Sequence, residues 1–338
     1  MSRSIDAWLA RLSDPAGLNG HWPAAPLPAD DARAVDALLY EAVRHNVHLA
    51  VHYNLLRLLR DDPAALLAGA GREAAAGALS ERVRAERSEI IAPTMQVAAV
   101  ARAIRQDLAG FPAVIVKGID FAENAYGGVH LRSFGDVDIL VREDAAEALG
   151  ALLSRKGFVP HGHERHAADY AERQWINGAP GATGTVLVEV HTDLVHTPEL
   201  RRRLSLTYDL HAGKDGQGVT PAARLVLAAL HGATSHLFGR LQYVVDGLMV
   251  ARSGVDPGEL AERAQASGAA LPVYTMLRLA SELYGCTTSA ALAGTMAPRG
   301  IARLERRLIT SPMVLAAKSP NRWRLLAQRH VYRRLLQV

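Results

Sequence analysis

Residues 135–141 read Gly-Asp-Val-Asp-Ile-Leu-Val, and no other stretch of the chain restricts its fold so tightly. Val137, Ile139, Leu140 and Val141 make this an apolar core strand. Side chains two apart on a strand share a face, so Asp136 and Asp138 point the same way. Two ionised carboxylates beside a core repel each other, and burying them unpaired is costly. A divalent cation removes both problems. Mg²⁺ in particular takes one or two carboxylates together with substrate phosphates and water. The plainer reading is a strand whose acids pair with Arg132 and Arg142.

Two further stretches add to this pattern. Ala113-Val114-Ile115-Val116 follows Pro112 and predicts a buried strand. Lys117 and Gly118 come next and open about two helical turns over 119–126, which Gly127 and Gly128 break. A glycine that leaves a buried strand and opens a helix lets backbone N–H groups approach a phosphate, and Lys117 adds positive charge there. The plainer role of Lys117 is a strand-end lysine that reaches solvent. In Val186-Leu187-Val188-Glu189-Val190-His191, Glu189 and His191 share one face while Val188 and Val190 take the other. Glu189 as a third carboxylate completes a metal site or takes a proton from an attacking hydroxyl. Without the Asp pair, this strand would read as half-exposed with a polar outer face.

Around these motifs the chain is helical. Residues 1–110 are rich in Ala and Leu, and Val97, Val100, Ile104 and Leu108 form one apolar stripe. Pro23, Pro26 and Pro28 mark a loop, and Gly110 with Pro112 ends the helical stretch. Asp144 is predicted to cap a helix carrying Leu149, Leu152 and Leu153, with Gly157 left-handed at its end. A Gly/Pro-rich turn over 177–184 precedes a strand over 185–191. From Pro221, which suits a first helical turn, the pattern is helical again, with Leu225, Leu227, Leu230 and Leu237 supplying apolar faces. The layout predicts an α+β fold with an N-terminal helical region over 1–110. An α/β core follows over 111–219, then a C-terminal helical region with a basic tail over 220–338.

Composition sets the outer bounds. With 49% hydrophobic residues and 38 Lys+Arg against 34 Asp+Glu, the chain of 338 residues is not disordered. The single cysteine, Cys286, excludes an internal disulfide framework and fits a reducing compartment. Residues 1–20 mix Asp6, Arg11 and Asp14 into their apolar residues, unlike a secretory signal. No run of about 18 apolar residues predicts a membrane span, so a soluble, cytoplasmic protein is expected. Residues 298–338 carry ten Lys/Arg against one acid, Glu305, which leaves 28 basic against 33 acidic residues elsewhere. Such a tail suits nucleic acid or an anionic surface, although a solvated helix face explains it as well.

Strand, Lys-Gly, helix, Arg-x-x-Gly-Asp-x-Asp and three apolar residues, then a later strand with acid, apolar residue and His, form an ordered series. The series resembles the uncharacterised nucleotidyltransferase family of the DNA polymerase β-like superfamily. The resemblance covers roughly residues 90–250, including His231, His236, Tyr243 and Asp246. It implies a small mixed-sheet nucleotidyltransferase core with helical flanks. Asp136 and Asp138 match the two metal-binding acids, and Glu189 matches the third, where Asp is more usual. Lys117 and Gly118 occupy the phosphate-turn position, where the superfamily has Gly-Ser. The activity implied is Mg²⁺-dependent nucleotidyl transfer, with two ions and a nucleoside triphosphate as donor. Pyrophosphate leaves in line, and a small molecule or peptide accepts the nucleotide. Arg132 is the candidate for phosphate contact, bidentate if its fork is free; a salt bridge with Asp136 or Glu143 is its plainer role. His191 completes the nucleotide-binding set.

Other features are weaker. His161, His163 and His166 have metal-like spacing in what reads as an exposed loop. His231 and His236 read as structural histidines, and Cys286 as a buried thiol. Trp323, between Arg322 and Arg324, suits helix packing better than base stacking. A toxin-like transferase acting on RNA or protein, or a binding module without turnover, are the alternatives to the small-molecule enzyme.

Overall fold

A mixed five-stranded sheet occupies the middle of the chain in the computed structural model, which describes residues 2–17, 25–28, 32–162, 172–179, 184–212, 219–316 and 322–337. Its strands are β1 (Ala113–Val116), β2 (Asp136–Val141), β3 (Val159–His161), β4 (Glu172–Asn177) and β5 (Val186–His191). Their spatial order is β1-β2-β5-β4-β3. β2 and β5 run parallel, with Asp138 opposite Glu189 and Leu140 opposite His191. The other neighbours are antiparallel. The rest of the described chain is mainly helical, so the architecture is α+β as expected. The helices that matter below are α1 (Ser2–Leu12), α2 (Ala32–Arg44), α3 (His48–Asp61), α4 (Arg72–Asp107) and α5 (Gly118–Asn124). After them come α6 (Ala146–Arg155), α7 (Pro221–Thr234), α8 (Leu241–Ala251), α9 (Ala270–Tyr284) and α10 (Arg322–Leu335). No helix among the described residues is long and apolar enough to cross a membrane.

The period-two alternation of β2 and β5 sorts their side chains between two environments. Val137, Ile139, Val141, Val186, Val188 and Val190 pack with Trp175 in one core, against Leu149 and Leu153 of α6. Leu140 turns the other way, into a larger core shared with α7, α8 and α9. Asp136, Asp138, Glu189 and His191 therefore face the C-terminal helices. Helix α4, 36 residues long, contributes to both cores: Ala76, Leu79 and Val83 to the larger, Val97, Ala98, Ala101 and Ile104 to the sheet core.

Several local expectations hold. Gly127, Gly128 and Gly157 have positive φ (76°, 157° and 85°). Thr220 caps α7 by accepting from the Ala223 amide, with Pro221 in the first turn. Asp144 does not cap α6. A 3₁₀ turn over Glu143–Ala145 precedes that helix, and the Asp144 carboxylate pairs instead with Arg142 at 2.8 Å. Strands β3 and β4 were not expected, since Val159-Pro160-His161 is exposed at the sheet edge and carries no apolar alternation. His163, His166 and Pro23 lie outside the described residues.

Two arginine forks, one part-buried and one buried, tie the elements around the sheet to the helices above it. Arg224 of α7 grips Asp120 of α5 with both its Nε and Nη2, at 2.9 and 3.1 Å. Arg132, in the segment before β2, grips Asp246 of α8 through Nε at 2.7 Å and Nη2 at 2.9 Å. Tyr126 donates to the same carboxylate at 2.6 Å. Arg132 and Asp246 are both nearly inaccessible, so removing one leaves an uncompensated buried charge. Asp246→Ala is expected to destabilise the chain by about 3–5 kcal/mol in denaturant unfolding. A loss within about 0.5 kcal/mol would show that the fork does not hold α8 to the sheet.

Candidate active site

Strand β1 ends in an unusual residue. Lys117 has φ 54° and ψ −132°, a conformation normally left to glycine and worth of order 1–3 kcal/mol of strain. The turn it makes sends the chain from β1 into α5 and brings the Lys117 ammonium back over β2. A Cβ on Gly118 would lie 3.3 Å from the Phe134 ring, so a larger residue there needs that ring to give by a few tenths of an ångström. Arg132 Nη1 donates to the Gly118 carbonyl at 3.2 Å and fastens the turn.

Asp138 is the centre of the site. Its Oδ1 accepts from Lys117 Nζ at 2.7 Å and contacts His191 Nε2 at 2.9 Å. Burial opposes its ionisation, but Lys117 and His191 prevail and hold it far below the usual carboxylate range. Lys117 is buried too, and Asp138 more than offsets that, which raises its proton affinity. The other two acids behave in the opposite way. Burial and the charge of Asp138 push Asp136 up to about 6. Burial, then Asp138, Glu172 and Asp136, push Glu189 up to about 8. Glu189 Oε1 accepts from Gln174 Nε2 at 3.0 Å, and its Oε2 lies 3.7 Å from His191 Nε2. His191 is fully buried, and burial followed by Lys117 lowers its proton affinity.

Lys117, Asp136, Asp138 and Glu189 line a cleft of about 390 Å³ that also includes Asn46, Ser133, Gln242, His196, His231, His236, Arg240 and Tyr243. His236 stacks on Tyr243 with ring centroids 4.4 Å apart and planes 8° from parallel. His231 meets both rings edge-on. The stack is carried by a strained loop in which Leu237 and Phe238 both have left-handed φ, 50° and 51°, and are held there by burial. Opposite, Ser133 donates to Asn46 Oδ1 at 2.7 Å, and Asn46 donates to Gln242.

The structure thus brings Lys117, Gly118, Asp136, Asp138 and Glu189 to one cleft, with His191 fully buried against Asp138. Arg132 joins them, but its fork is not free for phosphate. Neither Asp136 nor Glu143 is its partner; Asp246 is. His231 and His236, read as structural, line the cleft, while His196 and Glu172 went unnoticed in the sequence. Glu172 lies on β4 directly opposite His191. Its place in an unexpected strand hid it, and Glu172-x-Gln174 on one face was the available signal.

A divalent cation fits this donor set. Ligand atoms of Asp138, Glu189 and His191 lie within 4.8 Å of one another. Asp136 makes no ion pair among the described residues and retains a proton to an unusually high pH. Buried acids of this kind exchange their protons for a metal.

A model of an uncharacterised nucleotidyltransferase family matches residues 31–285. The chain belongs to this nucleotidyltransferase family. No curated protein matches it. As a nucleotidyltransferase it is a transferase of phosphorus-containing groups. The match reaches well beyond residues 90–250 on both sides, taking in Asn46 and the whole of α8 and so most of the cleft.

The raised acids of the nucleotidyltransferase make its stability pH-dependent. Asp136 and Glu189 bind protons more tightly folded than unfolded. Their contribution is therefore complete below their unfolded values near 4 and decays as pH rises through about 6 and then about 8. The histidines lowered to about 4, His45, His48, His52, His196 and His236, are neutral in both states above about pH 7, so the falling contribution in this range is that of Glu189. In chelator, Tm is expected to fall between about pH 7 and about 8.5, and less steeply in Glu189→Gln. Thermal unfolding monitored by fluorescence decides it: equal slopes in the two proteins would contradict the assignment.

Proposed function

We propose that the chain moves a nucleoside monophosphate from a nucleoside triphosphate to a hydroxyl or phosphate of a small-molecule or peptide acceptor. Pyrophosphate is released, and Mg²⁺, as two ions, is the cofactor. The observation that carries this reading is the convergence of Asp136, Asp138 and Glu189 from two parallel, hydrogen-bonded strands onto one cleft. Those three acids would hold Mg²⁺. When bound, Mg²⁺ supplies charge neutralisation at the triphosphate and acidifies the attacking hydroxyl.

The chain's own residues supply position and charge. Lys117 keeps an ammonium at the acid cluster, where the phosphates would lie, and Gly118 allows the backbone to pass close by. Arg132 fastens that turn and α8 together. His191 orients Asp138 through Nε2. If Glu189 is not itself a ligand to the ion, its carboxylate, ionised by the charge of bound Mg²⁺, is the group placed to take the acceptor's proton. The His236–Tyr243 stack offers an aromatic face for the base, and the Asn46 and Gln242 amides offer groups for its edge. A second cavity of about 460 Å³ shares Ser235, His236, Arg240 and Tyr243 with the cleft, and is the place for the acceptor.

One observation favours RNA as an alternative acceptor. The second cavity shares His330 and Arg333 with a third, of about 650 Å³, to which Arg202, Arg203 and Arg334 contribute. RNA binding that weakens steeply with salt and is lost on truncation near Pro298 would select that reading. Salt-insensitive behaviour would remove it.

Calorimetry with ATP, CTP, GTP and UTP, with and without Mg²⁺, tests the main proposal. Mg²⁺-dependent binding of at least one nucleotide is expected. Asp136→Asn is expected to reduce transfer by about two to three orders of magnitude. The same variant should not lower Tm in chelator, because it removes a carboxylate that Asp138 repels. Full transfer activity in this variant would defeat the proposal. His236→Ala is expected to weaken nucleotide binding about tenfold, with recovery in His236→Phe.

A further inference from the structure

Beside the cleft acids, Glu172, His191 and His196 form a second cluster, of which nucleotidyl transfer uses only the Nε2 side of His191. We propose that these three residues bind a second kind of metal ion, a Zn²⁺-type divalent cation, at a site separate from the Mg²⁺ acids.

The geometry is that of a ligand set. Glu172 Oε2 lies 3.3 Å from His196 Nδ1 and 3.7 Å from His191 Nδ1. All three ligand atoms fall within 4.8 Å of one another. Nitrogen and oxygen donors at normal zinc bond lengths, arranged tetrahedrally, are roughly 3.3–3.5 Å apart. The two separations from Glu172 are already close to that value, and the two imidazole nitrogens lie within 4.8 Å of each other. The register of β4 and β5 sets the first two ligands directly opposite each other, and His196 follows within five residues of His191.

His191 supplies an independent observation. Its side chain is 0% exposed, yet Nδ1 has no hydrogen-bond partner among the described residues. A buried ring nitrogen without a partner is unfavourable. Its other nitrogen, Nε2, is engaged by Asp138. Metal-bound histidines commonly donate their second N–H to a carboxylate, which fixes the tautomer and aims the lone pair at the ion. His191 has that arrangement, with the metal side vacant of any hydrogen bond.

Donor chemistry selects the ion. Two imidazoles and one carboxylate form a zinc set, with room for water as a fourth ligand, whereas Mg²⁺ prefers oxygen throughout. Glu172 and His196 are 10% and 19% exposed, so an ion can enter from solvent. Once bound, it neutralises Glu172, which otherwise repels Glu189, and locks His191 as a donor to Asp138.

The experiment is a competition titration of the tag-free, full-length chain with Zn²⁺ against a chromophoric chelator. One tightly bound ion per chain is expected. Glu172→Gln and His196→Ala should each weaken Zn²⁺ binding at least tenfold, as should the near-isosteric His196→Asn, with folding followed by circular dichroism. Asp136→Asn and Glu189→Gln should leave it unchanged. Co²⁺ in place of Zn²⁺ should show the visible absorption of a tetrahedral nitrogen–oxygen site, lost in the first set of variants. Absence of stoichiometric Zn²⁺ binding overturns the proposal, as does wild-type affinity in Glu172→Gln and His196→Asn. Equal loss in Glu189→Gln also overturns it, by placing the ion among Asp138, Glu189 and His191. None of these readouts depends on nucleotide binding, so the two metal proposals fail or stand separately.

Discussion

The parallel pairing of β2 with β5 sets Asp138 beside Glu189, and like charges side by side on a sheet repel. Much of the surrounding structure answers that repulsion. Lys117 adopts a strained backbone to bring an ammonium onto Asp138, and His191 adds a hydrogen bond from the next acid-facing position of β5. The charge supplied is enough to keep Asp138 ionised, but Asp136 and Glu189 are left with raised proton affinities. Local stability and local chemistry are opposed here, as expected of a site shaped for charged ligands.

The helical flanks serve this sheet in a specific way. Helices α7 and α8 are held over its polar face by two arginine forks, a part-buried one at Asp120 and a buried one at Asp246. They carry the aromatic groups of the cleft with them. The two consecutive left-handed residues, Leu237 and Phe238, turn the chain between these helices so that His236 stacks on Tyr243. A nucleotidyltransferase must hold both the phosphates and the base of its donor. In this chain the sheet offers charge and the helices offer flat apolar surface.

How far the sequence disclosed this depends on the range of each interaction. Alternation within residues 136–141 and 186–191 was enough to place three acids and a histidine on common faces, because strand geometry is local. Gly118, Gly157 and Pro221 were readable for the same reason. The partner of Arg132 lies 114 residues away on another element, and no local pattern distinguishes Asp246 from a nearer acid. Asp144 had the chemistry of a helix cap, but Arg142, two residues back, competes for its carboxylate. Strands β3 and β4 escaped because an edge strand need not alternate, and with them went Glu172 and its approach to His191. Asn46 reaches the cleft from the loop after α2, a placement set entirely by tertiary packing.

Helix α4 ties the two halves of the molecule into one mechanical object. Its first turns are embedded among the N-terminal helices and its last turns lie flat on the sheet, so neither core can loosen without tugging on the other. A disturbance among α1–α3 can reach the strands that bear the acids along this one helix, across the internal Pro93 that divides its two buried segments. The turns on either side of Pro93, each buried in its own core, should therefore protect their amide protons best, and the exposed turns around it least.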